Sequence, residues 1–322
     1  FLVLIECHQG RTGLVIYELA TGRLRRPSPV PALSRLGAHE PVWISDHELV
    51  YAALPEGAQP PDTSIRMATG RARITLWEAA WRGDTVTATE VRNDLTGQAV
   101  AGDLIRLDTR SGKVSHLGNG LHADLSLSPD GRHLAALAKF RDPRRAERDR
   151  ARLESVHHEL RLIDLSTGDI EAPAPGWDVS PGSLAWAAEG QKLALFAVPE
   201  GTFWSRGLHH VLNLGQGRLT PYPHTGLDLV SERERGLLQR PERAVLMEAG
   251  LAVCARPGAD TEQAMSSFTY REIGAGGLAR PDWYLIAPGK PARNLTRGLD
   301  GVSPLLLDAG ATHLVVQARD GI

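Results

Sequence analysis

The 322 residues carry 36 Lys and Arg against 38 Asp and Glu, and 42% are hydrophobic, which is ample material for a buried core. A net charge of −2 argues against a nucleic-acid partner, which needs a concentrated positive field. The longest apolar runs, such as Phe1–Ile5 and Leu193–Val198, fall far short of a membrane span.

In chain order, Phe1–Ile5 reads as a strand. Ile16–Gly22 reads as a second, ending in a glycine turn, with polar Leu24-Arg-Arg after it. Trp43-Ile-Ser-Asp46 precedes a five-residue run, Leu49–Ala53 (LVYAA), and an insertion of about 54–102 follows. Ile105–Gly112 is another strand and glycine turn, trailed by polar Lys113–His116. Leu127-Ser-Pro-Asp-Gly131 turns into Leu134–Ala138 (LAALA), and a second insertion, about 139–159, leads to Leu162–Gly168 and polar Asp169–Glu171. The pattern returns as Trp186–Gly190 with Leu193–Ala197 (LALFA), then Val211–Gly217. It returns again as Leu246–Gly250 with Leu251–Ala255 (LAVCA), then Trp283–Gly289. Ser303–Asp308, Gly310 and Leu314–Ala318 (LVVQA) close the chain.

Gly131, Gly190, Gly250 and Gly310 lie 59, 60 and 60 residues apart, so the chain is an internal repeat. Each unit holds four strands. The first (A) ends in the glycine turn, the second (B) is the Leu…Ala run, and the third and fourth (C and D) flank the other turn. LAALA and LALFA are apolar at successive positions, as a strand buried on both faces requires, whereas the D strands are polar, as an outer edge requires. Connections such as Gly131–Arg132 are too short for the helices of a parallel α/β sheet. A β-sandwich gives no reason for the period. The expected fold is all-β: a β-propeller of four-stranded antiparallel blades with helical insertions in blade connections. Strands B-C-D at the start and A-B at the end do not sum to one blade. The chain therefore reads as a single propeller domain, 1–322, that is a fragment holding about five to six blades.

Long connections are expected at 54–102, 139–159, 198–208 and 256–281 between B and C, and at 218–242 from D to A, all on the face opposite the glycine turns. Ile74, Trp77 and Trp81 fall on one helical face, with Gly83 placed to stop the helix. Either the stripe packs onto the blades, or Trp77 or Trp81, with Glu78 and Arg82, meets a ligand or a neighbouring domain. Arg141–Glu154 reads as a solvated charged helix, and Glu232–Arg235 as a solvated loop. In Glu200–Arg206, Phe203 and Trp204 either cap a blade or line a pocket mouth, with Glu200 and Arg206 beside them. His157-His158 and His209-His210 would point to opposite faces of their strands, so neither pair readily chelates one ion. Gly301-Val-Ser-Pro-Leu305 lacks the final glycine of a nucleophile elbow. No catalytic residue, metal or cofactor is expected, and Cys7 and Cys254 read as small buried thiols.

Leu127-Ser-Pro-Asp-Gly-Arg-His-Leu-Ala-Ala-Leu-Ala, followed by Leu160-Arg-Leu-Ile-Asp-Leu-Ser-Thr-Gly168, resembles the blade unit in the N-terminal propeller of prolyl-oligopeptidase-family serine peptidases. So do Trp43 with Ala53-Leu-Pro-Glu-Gly57, and Asp282-Trp-Tyr-Leu-Ile with Arg293-Asn-Leu-Thr296. The serine-proline-aspartate-glycine turn is shared with Tol-type periplasmic propellers. The resemblance implies a C-terminal α/β-hydrolase domain beyond Ile322, a peptide substrate, and a propeller that restricts access to short peptides. The alternative is a non-catalytic Tol-type interaction propeller. Either a cytoplasmic or a periplasmic bacterial location fits, with the periplasm slightly favoured. The paired acids that hold a substrate amino terminus in some relatives have no match, since Glu200 stands alone and Arg233 separates Glu232 from Glu234.

Overall fold

Strands make up almost all the regular structure of the computed structural model, which describes residues 1–8, 11–27, 41–54, 78–79, 81–83, 103–119, 122–141, 156–200, 202, 206–229, 231–232, 240–241, 244–258, 282–297 and 302–318. They form antiparallel sheets in an all-β, propeller-like fold. The chain divides into two compact units, Phe1–Leu125 and Ser126–Ile322.

The first unit holds two sheets. One is three-stranded: β1 (Leu2–His8), β2 (Arg11–Glu18) and β3 (Arg23–Arg25). The other has order β4 (Val42–Trp43), β5 (Glu48–Ala53), β6 (Asp103–Asp108) and β7 (Val114–Asn119). Leu14 and Ile16 of the first pack on Leu49, Tyr51, Ile105 and Leu107 of the second.

Four further sheets follow, the first beginning with the strand that contains the unit boundary. Its strands are β8 (His122–Leu127), β9 (His133–Arg141), β10 (Val156–Asp164) and β11 (Ile170–Glu171). The fourth sheet holds β12 (Trp177–Val179), β13 (Ala185–Trp186), β14 (Lys192–Pro199), β15 (Leu208–Asn213) and β16 (Arg218–Tyr222). The fifth begins with β17 (Leu227–Leu229). A separate two-stranded ladder, β18 (Ser231–Glu232) with β19 (Arg240–Pro241), intervenes before β20 (Val245–Met247), β21 (Gly250–Pro257), β22 (Asp282–Ala287) and β23 (Lys290–Asn294) complete that sheet. The sixth pairs β24 (Val302–Ala309) with β25 (Leu314–Ala318).

The expected B strands are β1, β5, β9, β14, β21 and β25. Leu49–Ala53, Leu134–Ala138, Leu193–Val198 and Leu251–Ala255 are buried at every position, so each of these strands is covered on both faces. Ala185, Ala194 and Val211 of the fourth sheet meet Leu246, Leu251, Val253 and Tyr284 of the fifth. On the other side of the fifth, Ala252, Cys254 and Trp283 meet Leu314 and Val316 of the sixth. Each fully buried Leu stabilises the stack by about 1.5–3 kcal/mol.

The recurrent turns have a common chemistry. In Asp164-Leu-Ser-Thr-Gly168 the Asp164 carboxylate accepts from the Ser166 N–H (2.8 Å) and hydroxyl (2.5 Å), and Gly168 closes the turn with φ +81°. Asp108 does the same for Arg110 N–H (2.8 Å) and the Ser111 hydroxyl (2.7 Å). In Leu127–Gly131, the Ser128 hydroxyl donates to Asp130 (2.5 Å) and accepts from His133 N–H (2.8 Å). Asp130 sits against Gly190 of the next repeat, and the Trp186 indole N–H reaches the Ser126 carbonyl (3.0 Å), so consecutive sheets are tied turn to turn.

Several expected boundaries shift. Lys139–Arg141 and Val156–His158 are paired strand residues, so β9 and β10 run into the second insertion; Arg141 is strand, and 142–155 lie outside the described residues. Arg218–Tyr222 is the D strand of the fourth sheet, and Leu227–Leu229 is already A strand. Ser231–Glu232 pairs with Arg240–Pro241 instead of forming a loop; Arg233–Arg235 lie outside the described residues. In both complete sheets after β11, the A strand is split. Both β12 and β13 pair with β14, and both β17 and β20 pair with β21. Leu195 and Phe196 lie across from the first break, and Val253 and Cys254 across from the second, at the same register of the repeat. Ser180–Ser183 loops out at the first break, where Ser183 accepts the Phe196 N–H (3.0 Å) and donates to the Ser180 carbonyl (2.6 Å).

Candidate functional site

The long connections between B and C strands leave from one end of the strands, and in the second unit that end is rich in histidine. His158 lies near the start of β10, His209 and His210 near the start of β15, and His224 follows β16. The other end carries the tight glycine turns. Near the connections, the buried Asp178 of β12 accepts the His158 backbone N–H (2.8 Å), which ties the third and fourth sheets together.

His209 and His210 point to opposite faces, as their strand position requires. The His209 ring lies edge-on to Phe196 (centroids 5.2 Å apart), and the His210 ring lies edge-on to Trp177 (4.6 Å). His210 Nδ1 is 3.0 Å from the Leu208 carbonyl. Among the described residues, both ring nitrogens of His209 are buried without a hydrogen-bond partner, and so is Nδ1 of His224. Burial, reinforced by His224 and His210, pushes His209 down to about 3. Burial also lowers His210 and His224, opposed in His210 by the Leu208 carbonyl and in His224 by Asp228. These rings are neutral at pH 7, able to offer one donor and one acceptor but no positive charge. Among the described residues no group of three or more His, Cys, Asp or Glu is arranged to hold a metal ion.

The candidates from the first insertion form one helical turn. The Arg82 N–H donates to the Glu78 carbonyl (3.2 Å) and Ala79 carbonyl (3.1 Å), and Gly83 has φ +81°. Trp81 is 91% exposed, and Glu78 and Arg82 are exposed beside it, so the described part of the stripe faces solvent. Trp77 lies outside the described residues. Glu200 and Arg206 are exposed at the two ends of the connection between β14 and β15, with Glu200 N–H held by the Gly176 carbonyl (2.8 Å). Phe203 and Trp204 lie outside the described residues. Glu78 and Arg82 thus share a turn, and Glu200 and Arg206 flank one loop. Sequence reading passed over His224 and Asp178; the usable signal was the buried His-His pair opening a C strand otherwise made of Leu and Val.

No protein-family model and no curated protein matches the chain. Among solved structures it is similar to puromycin hydrolase, with 14% identity, TM-score 0.49, and coverage of 96% of this chain and 38% of that one. It is similar to TolB from Acinetobacter baumannii at 11% identity and TM-score 0.41, covering 90% of this chain and 52% of that chain. The acylaminoacyl peptidase of Pyrococcus horikoshii is similar at 10% identity and TM-score 0.47, covering 98% and 39%. The chain therefore spans about half or less of the length of each. No helix among the described residues is long and apolar enough to cross a membrane.

Proposed function

We propose that this chain is the substrate-gating and substrate-contact propeller of a prolyl-oligopeptidase-like serine peptidase, serving an α/β-hydrolase domain of the same protein that acts on short peptides. The supporting observation is the division of labour between strand ends. In these sheets tight glycine turns close one end, and the long connections between B and C strands leave from the other. A rigid scaffold with its excursions gathered at one end suits contact with a mobile ligand or a second domain. Trp81, Glu78 and Arg82, and Glu200 with Arg206, are exposed on those connections and are the contacts assigned to substrate or hydrolase domain, together with Trp77, Phe203 and Trp204. No nucleophile is assigned to the chain itself, so the chemistry belongs to the second domain.

The coding sequence downstream of Ile322 tests this reading. A Gly-x-Ser-x-Gly elbow within a few hundred residues supports it, and in that full-length enzyme Trp81→Ala or Glu200→Ala should raise KM for a chromogenic tripeptide. A stop after the last blade refutes it and leaves the non-catalytic interaction propeller of the Tol type.

A further inference from the structure

We propose that the seam between the fourth and fifth sheets is a proton-sensitive joint, in which protonation of His209 opens the strand ends nearest the long connections while the rest of the fold stays closed. This goes beyond the peptidase reading and does not depend on it.

The placement follows from strand alternation. Ala194 of β14 and Val211 of β15 face the fifth sheet, in contact with Leu251, Val253 and Ala255. Two positions further along each strand, Phe196 and His209 must face the same way, and they are register partners. Tyr222, the partner of His209 on β16, packs against that same core. His209 is thus the polar end of an otherwise apolar seam, and among the described residues both of its buried ring nitrogens lack a partner.

Among the described residues, the charged and titratable groups around it offer no counter-ion. On its own strand is His210, whose ring lies on the opposite face against Trp177. β14 contributes Phe196, and β16 contributes Tyr222. The segment after β16 contributes His224, which disfavours a charge on His209. Asp228 of β17 favours the charge on His224 instead. Arg256 of β21 is the neighbour of Ala255 and so faces away from the seam, opposite Asp228 in register. A proton on His209 therefore places a cation among aromatic and alkyl groups, with two further imidazoles as neighbours and, among the described residues, no carboxylate to pair with. The group regains hydration only when the seam opens.

The linkage has a definite sign. The ring is held at about 3 in the closed seam, against an ordinary 6.5, so the closed form is favoured in full above pH 6.5 and loses ground as the pH falls below it. From pH 7.5 to pH 5 the opening constant should rise roughly 30-fold.

Hydrogen exchange of the full chain at pH 7.5 and 5, corrected for intrinsic rates, tests this. Amides of β14, β15 and β21 should lose protection by roughly that factor, while those of β5 and β6 should not. His209→Phe removes that titrating group while keeping a ring in the seam and should remove most of the change, leaving only the smaller share of the neighbouring His224. Equal loss of protection in His209→Phe, or uniform loss across all sheets, would overturn the proposal. Should that variant fail to fold, the imidazole carbon signals of the wild-type chain decide. His209 staying neutral to below pH 5 wherever the seam amides are protected supports the joint. A titration midpoint above 6 with those amides still protected overturns it.

Discussion

Ser183 holds together the break in the A strand of the fourth sheet, and Ser183→Ala isolates that job. The hydroxyl is buried, accepts the Phe196 N–H at 3.0 Å and donates to the Ser180 carbonyl at 2.6 Å. Where β12 and β13 part, no backbone carbonyl replaces it opposite Phe196, whose own carbonyl is taken by the Ser180 N–H (2.8 Å). Alanine leaves almost no cavity, so packing terms change little. The cost is an orphaned buried N–H, about 1–3 kcal/mol, plus the donor bond to Ser180, about 1 kcal/mol. The Ser180 carbonyl keeps a long bond from the Ser183 N–H (3.3 Å), which places the expected loss near 2–3 kcal/mol. Urea unfolding at pH 7, with amide exchange at Phe196 as the local readout, measures it. Ser166→Ala serves as control, because its hydroxyl bonds Asp164 on an exposed turn and should cost about 0.5 kcal/mol. A Ser183→Ala loss below about 0.5 kcal/mol, or no greater than that control, refutes the bridging account.

Gly250 and Gly217 should separate steric from conformational cost. A Cβ on Gly250 (φ +150°) falls onto the Ile286 carbonyl oxygen, so Gly250→Ala should lose roughly 3 kcal/mol or more. Gly217 (φ +58°) faces open space, so its alanine variant should lose only about 1–2 kcal/mol; equal thermal shifts would contradict this. Asp164 should titrate near 2 by carboxyl NMR, held there by Ser166 and Thr167; its contribution to the turn is present above the ordinary Asp range and fades as pH falls through it, and a midpoint above 3.5 would contradict that cause. Trp81→Ala should change stability by less than about 0.5 kcal/mol, and a loss beyond 1.5 would mean that the ring packs onto the scaffold. The pure 322-residue chain should not hydrolyse a short chromogenic peptide, and robust turnover would place chemistry within it.

The repeat was legible because burial on both faces leaves a mark no other element leaves. LAALA, LALFA, LAVCA and LVYAA each became a B strand, and the Asp-Ser-Gly turns fell where the spacing put them. The split A strands were not legible. Ser180-Pro-Gly-Ser183 looks like any turn, and only the ladder shows β12 and β13 sharing one partner. The same holds for Leu227–Leu229, three residues too few for alternation to show before the chain leaves the sheet. At the site, His209-His210 was visible, and strand alternation foretold their opposite faces. What surrounds each ring depends on sheet-to-sheet packing, which local sequence does not encode. His224 and Asp178 come near only through the third dimension.

The gap in the A strand of the fifth sheet has a practical meaning. Fifteen positions, 230 to 244, stand opposite just Val253 and Cys254 of β21, and the flanking halves stay in register with that strand. The excursion therefore leaves and re-enters one ladder between nearby register positions, so a change in its length need not shift the pairing on either side. Ala244, where the excursion returns, is buried in the interface with the fourth sheet, so the port for engineering this scaffold lies before that residue.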